Sequence, residues 1–201
     1  VGTKAGGTAR WNPHSWSFGH RRLGSASNNV ASFAEDSNGR LWIGTIGSGL
    51  FQVNATTGVA TPFRVAPGSP VQLLDSNVMA LVADDNDHIW AGTMRSGVIR
   101  IDIKSGAATA IPIDEHDLDA LPVPGVMALL RDSRGQIWVG TFGGGVVRID
   151  PHSLKVTRFP IARDGTQGLP SDRATALAED RNGWIWIGTD GGGLSALNPG
   201  S

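Results

Sequence analysis

Carboxylates at a fixed spacing are the first candidates for chemistry, because paired acids can relay protons. Asp36, Asp84, Asp132 and Asp180 recur every 48 residues. Three of them open the pattern Asp-x-x-Gly, and in the fourth Asp87 takes the place of the glycine. Asp bonds the backbone two residues on, and Gly supplies positive φ, so a turn accounts for all four at once. The histidines, at 14, 20, 88, 116 and 152, show no zinc-motif spacing, and His14 and His152 share one repeat position. No nucleophile elbow surrounds any serine. Gly143-Gly144-Gly145 would cradle a phosphate only if a helix followed, and none is expected there. Asp114, Glu115, His116, Asp117 and Asp119 could hold a cation weakly, but a calcium loop needs a more regular oxygen pattern. Solvated loop charge is the better reading. No catalytic residue, metal site or cofactor is expected.

The elements that carry these residues are repeats. Trp42, Trp90, Trp138 and Trp186 keep the 48-residue step, as do Gly44, Gly92, Gly140 and Gly188. Thr45, Thr93, Thr141 and Thr189 keep it too, followed by Gly49, Gly97, Gly145 and Gly193. Val1-Gly2-Thr3 and Arg10 to Ser15 form a further half-repeat, six residues closer to the next. Each repeat reads as four short strands, here called A to D. In the third, strand A is Val126 to Leu130, B is Gln136 to Thr141, C is Val146 to Asp150 and D is Lys155 to Phe159. Such strands are too short, and the glycines too frequent, for helices.

A four-stranded repeat of this length with a Trp signature is a β-propeller blade. The expected fold is all-β: about four blades of four antiparallel strands, an arc of a larger propeller. The blades divide as a partial one over 1–28, whole ones over 29–76, 77–124 and 125–171, and a partial one over 172–201. Strand C would then occur in both partial blades, as Thr8 to Trp11 and Leu194 to Leu197, so a neat four-bladed closure is not expected. The chain opens at Val1 without Met and is expected to be part of a longer protein. The periodic tryptophans should be buried between blades, and Trp11, Trp16 and Trp184 should also be packing residues. The glycine after each periodic Trp should let neighbouring backbone approach.

Composition narrows the function classes. Hydrophobic residues are 40% and charged residues 17%, which excludes a disordered chain. A net charge of −1 without a basic run gives no footprint for nucleic acid or an anionic membrane. There is no cysteine, hence no disulfide and no thiolate ligand. No apolar stretch is long enough to cross a bilayer.

The run Glu35-Asp36-Ser37-Asn38-Gly39-Arg40-Leu41-Trp42-Ile43-Gly44-Thr45, with Gly49-Leu50-Phe51, resembles the two-component regulator propeller repeat. Glu179-Asp180-Arg181-Asn182-Gly183-Trp184-Ile185-Trp186-Ile187-Gly188-Thr189 and the Gly168-Leu169-Pro170-Ser171-Asp172 lead-in resemble it more closely. The resemblance implies seven-bladed propellers, often in tandem, in the extracytoplasmic part of bacterial membrane sensors. It implies histidine kinases or diguanylate cyclases as outputs. Asp87 and Ala91 depart from the pattern, and four repeats are too few for the family's closed ring.

The expected function is therefore a non-catalytic sensor or binding segment, periplasmic or extracellular. The alternatives are a propeller lyase or hydrolase acting on glycans or an antibiotic, and a structural scaffold. Strand parity puts the D–A connections and B–C turns on one face, and residues there vary between repeats, as a binding surface requires. Lys4, Met94, Arg95, Phe142 and Asp190 are the candidate ligand-binding residues. The expected partner is a small ligand, with carbohydrate one candidate, or a neighbouring propeller domain. Self-association through exposed blade faces is a further expectation. Nucleic acid and membrane contact are not expected.

Overall fold

In a computed structural model, residues 2–3, 7–12, 17–21, 23, 29–54, 56–67, 69, 77–85, 87–162 and 168–200 are described, those before 22 as backbone alone. Among them are 18 strands in five antiparallel sheets. The first sheet holds β1 (Gly2–Thr3), β2 (Gly7–Asn12) and β3 (Ser17–Arg21). The second holds β4 (Val30–Glu35), β5 (Leu41–Thr45), β6 (Gly49–Val53) and β7 (Ala60–Pro62). The third holds β8 (Val78–Ala83), β9 (His88–Thr93), β10 (Val98–Asp102) and β11 (Ala108–Ala110). The fourth holds β12 (Val126–Arg131), β13 (Ile137–Thr141), β14 (Val146–Ile149) and β15 (Val156–Arg158). The fifth holds β16 (Ala174–Glu179), β17 (Ile185–Thr189) and β18 (Gly193–Leu197). Every sheet is a meander in chain order; the second, third and fourth have the four strands read from the repeat, and the first and fifth have three.

The sheets stack through their first strands, β4 on β8, β8 on β12 and β12 on β16, while β1 meets β4. Each blade has two unlike faces. One carries the periodic Trp and looks toward the following blade, and the other carries Ile and Val and looks back. Trp42 thus packs with Val78, Ile89, Ile99 and Ile101, and Trp90 with Val126, Ile137, Val147 and Ile149. Trp138 packs with Ala174, Ile185 and Ile187. These three indoles are fully buried. The glycine two residues on is needed for that approach. A Cβ on Gly44 would stand 2.9 Å from the Val78 carbonyl oxygen, and one on Gly140 would stand 2.7 Å from that of Ala174.

Trp186 departs from the expectation of burial: it is 38% exposed, and Trp184 beside it is exposed as well. Both lie on the forward face of the fifth sheet, where no described strand packs. Trp11 and Trp16 cannot be placed in the same way, since the Trp11 side chain and the whole of Trp16 lie outside the described residues.

A bulge recurs in all four A strands. Pairing steps from Val30↔Thr45 to Ser32↔Gly44, leaving Ala31 extra, and the same step occurs at Met79, Met127 and Thr175. A bulge bends the strand and re-aims what precedes it. Here it brings the residue before each A strand against the B–C turn of the same blade.

Candidate functional site

The invariant residues are taken up by the frame. The repeated Asp makes its turn as expected: Asp132 Oδ1 accepts from the backbone N–H of Arg134 and Gln136, at 3.0 and 2.8 Å. It also does something the sequence reading missed. Its Oδ2 accepts the indole N–H of Trp138 at 2.8 Å, and Asp36, Asp84 and Asp180 do the same for Trp42, Trp90 and Trp186. The constant Asp–Trp spacing was the available signal. For Asp36, burial opposes the charge, but hydrogen bonds from Trp42 and Arg40 outweigh it and hold the carboxyl below its ordinary range. The repeated Thr closes the B–C turn, with Thr141 Oγ1 donating to the Gly145 carbonyl at 2.9 Å. Gly143 and Gly145 both have positive φ, so the glycine cluster is a turn.

The acidic loop is likewise structural. The Arg158 guanidinium, from β15, donates to the carbonyl oxygens of Asp114, Glu115, Asp117 and Ala120. The Arg158 cation thus holds the loop through its backbone carbonyls. Among the described residues, no group of three or more His, Asp or Glu side chains is arranged to hold a metal. Asp87, in the left-handed conformation at φ 60°, accepts from Ser37 Oγ and Asn38 Nδ2 of the preceding blade. Its 2.6 Å ion pair is with Lys104. A departure from the repeat thus becomes a clasp between blades.

The variable residues gather on the other face. The D–A connections do pack on the B–C turns: Gly143 and Gly145 N–H both donate to the Asp172 carbonyl, and Ser171 Oγ donates to that of Asp190. Ile46, Met94, Phe142 and Asp190 each donate a backbone N–H to the residue before their own A strand, namely Asn29, Asn77, Gly125 and Arg173. Bridges Ile46↔Asn77 and Phe142↔Arg173 carry the row from blade to blade. The result is a continuous rim.

Of the sequence-derived candidates, Phe142 and Asp190 are brought together, and the link is a residue not singled out from sequence. Arg173 lies 5.7 Å over the Phe142 ring and makes a 3.0 Å ion pair with Asp190. Phe142 is 48% exposed, and both charged partners reach solvent. Met94 is half-buried one blade away, with Gly125 between its carbonyl and Phe142, and Arg95 is exposed beside it. Lys4 lies outside the described residues. Arg173 shares its repeat position with Asn29, Asn77 and Gly125, so its variation was visible, but its place beside the B–C turn depends on the bulge. The rim offers an aromatic face, a cation and an anion side by side, which suits a polar ligand with an apolar surface. A separate shallow pocket of about 520 Å³ on the second sheet is lined by Arg40, Gln52, Asn54, Thr57, Val59 and Thr61, among others.

Five stacked meanders of this kind define the class: the chain is an arc of a β-propeller. The model of the two component regulator propeller family matches residues 24–47, 120–143 and 168–191 of these repeats. No curated protein sequence matches the chain. Among solved structures it is similar to the extracellular domain of the hybrid two component system BT4673 of B. thetaiotaomicron, at 21% identity and TM-score 0.76, over 98% of this chain and 28% of that one. It is also similar to that of BT3049 of the same organism, at 23% identity and TM-score 0.71, over 87% and 24%. Virginiamycin B lyase of Staphylococcus aureus is similar at 15% identity and TM-score 0.69, over 97% and 64%. At these identities the likeness shows the fold alone. The chain spans about a quarter of the length of the two sensor domains. No helix among the described residues is long and apolar enough to cross a membrane.

Proposed function

We propose that this chain is a non-catalytic sensing segment of a bacterial transmembrane signalling protein. It works outside the cytoplasm and takes its ligand on the rim around Phe142, Arg173 and Asp190. The family match and the sensor domains of like fold support the sensing role. The observation that carries the site is the division of labour within the repeat. The Asp–Trp and Thr–Gly pairs are occupied with each other, while the rim keeps one position per blade and changes its side chain. A fixed frame with varied, exposed side chains is how a repeat protein presents a binding surface. At the rim Arg173 pairs with Asp190, and both charges remain open to solvent beside the Phe142 ring.

The test is a thermal-shift and calorimetric screen of the chain against soluble oligosaccharides, neutral and acidic. A hit should be weakened at least tenfold by Arg173→Ala and by Phe142→Ala, with the ligand-free melting temperature little changed, and the recovered sugar should be intact. A hit that survives both substitutions, or is cleaved, sinks the reading.

A further inference from the structure

The second blade departs from the third and fourth at the outer end of the face that carries Trp42, where the pocket of about 520 Å³ opens. This blade lies inside the arc: β1 meets its β4 from one side, and β8 packs on β4 from the other. Register sets Gln52 between Trp42 and Thr61 across the strands, so the three share one side of the sheet. In the third and fourth blades that position holds an arginine, Arg100 or Arg148, with its guanidinium 5.9 or 5.8 Å over the Trp ring. Arg100 also donates to the Pro151 carbonyl of the next blade at 3.1 Å, which spans the junction. Gln52 is shorter and uncharged, and its amide makes no hydrogen bond among the described residues.

The C–D turn repeats the contrast. In the third blade Asp102 stands 4.0 Å from His88 Nε2, and in the fourth Asp150 Oδ2 accepts from Gln136 Nε2 at 3.3 Å. The turn acid there answers the residue at the start of strand B. In the second blade the same two positions hold Asn54 and Arg40. Asn54 Oδ1 is taken by the backbone N–H of Thr56 and Thr57, at 3.0 and 2.9 Å, so the amide group left over is Nδ2, a donor. Arg40 uses its Nε on Asp36, at 2.7 Å, and keeps its two Nη groups, which are donors as well. The Asp36 side chain is 1% exposed and that of Arg40 35%, so the charge open to the pocket is positive. Two sets of donors thus line it, with no carboxylate at the turn to answer them.

We propose that this pocket binds a sugar acid, its carboxylate held by Arg40 and the Asn54 amide. Charge-assisted bonds from a guanidinium are the strong ones for a carboxylate. The Gln52 amide and the Thr57 and Thr61 hydroxyls are partners for ring hydroxyls, and Val59, 55% exposed, offers an apolar surface to the C–H face of the sugar. The volume exceeds what a bare carboxylate needs and falls within the range of small-ligand sites. The site is independent of the rim, which is built on the B–C turns of the opposite face.

Titration of the isotope-labelled chain with sodium glucuronate and sodium galacturonate, followed by NMR, tests it. The side-chain amide signals of Gln52 and Asn54 should shift and saturate, with dissociation constants at or below about 1 mM. Glucose, galactose and acetate should bind at least tenfold more weakly. Asn54→Asp gives the second blade the turn acid of the third and fourth and keeps an Oδ1 for the turn, so it should melt as wild type does. Its new carboxylate beside Arg40 should lower uronate affinity at least tenfold. Arg40→Gln, which supplies the residue of the fourth blade, should do the same. Uronates that leave those amide signals unmoved, or that shift the backbone amides of Gly143, Gly145 and Asp190 instead, overturn the proposal. So does a neutral sugar or acetate that binds as tightly, or an Asn54→Asp chain that keeps its affinity.

Discussion

The repeated aspartate illustrates how one side chain can serve two ends. Its Oδ1 builds the A–B turn and its Oδ2 holds the indole N–H of a tryptophan six residues on. A buried donor left without an acceptor costs about 1–3 kcal/mol, whereas an accessible one turns to water. Trp138 is buried and Trp186 is partly exposed, so the same substitution should read differently in the two blades. Asp132→Ala should lower unfolding stability by about 2–4 kcal/mol, adding the lost turn bonds to the stranded indole. Asp180→Ala should cost clearly less, about 1 kcal/mol. Urea unfolding of both variants checks this, and equal losses would show that the indole bond contributes little.

At the scale of the element, the C–D turn of the fourth blade joins strand chemistry to pH. The Asp150 carboxylate accepts the Ser153 backbone N–H and hydroxyl and is also reached by Gln136 and the His152 N–H, at 2.8, 3.0, 3.3 and 3.0 Å respectively. These bonds favour the ionised form and hold its pKa at about 2. An unfolded aspartate titrates near 3.9, so the stabilisation is complete above about pH 4 and is lost as pH falls through about 2. Asp150→Asn should therefore be less stable than wild type at neutral pH, with the difference shrinking between pH 4 and pH 2 in thermal melts. Other lowered carboxyls, Asp36 and Asp180 among them, add to wild type's own loss of stability as they become protonated in acid.

For the whole molecule, stability rests on blades covering one another. Trp138→Ala opens a cavity between two sheets and should cost about 3–5 kcal/mol, as truncation of a large core side chain does. Trp186→Ala removes a partly exposed ring and should cost under about 1 kcal/mol. Acrylamide quenching of tryptophan emission reads the same contrast, with an accessible fraction that Trp186→Ala reduces and Trp138→Ala does not. Blades that touch only their neighbours also make stability close to a sum over junctions, so damage at one end should leave the far blades folded.

Repeat length and strand order were legible in the residues alone. A 48-residue step in Trp, Gly, Thr and Asp allows one local answer, because each residue acts within its own blade: Asp132 with Trp138, Thr141 with Gly145. Parity along four antiparallel strands was enough to put the D–A connections with the B–C turns. What depends on contact between blades was not legible. Trp186 holds the same repeat position as Trp138, and its ring is partly in solvent because among the described residues no sheet packs beyond it. Arg173 joins Phe142 and Asp190 because a bulge bends its strand and the fourth blade stands next to the fifth. Arg158 fills the carbonyl ring of residues 114–120 from almost a full repeat away. Local bonding is written in adjacent letters of the chain, whereas coverage and convergence are set by which blade lies beside which, and that is decided by tertiary packing.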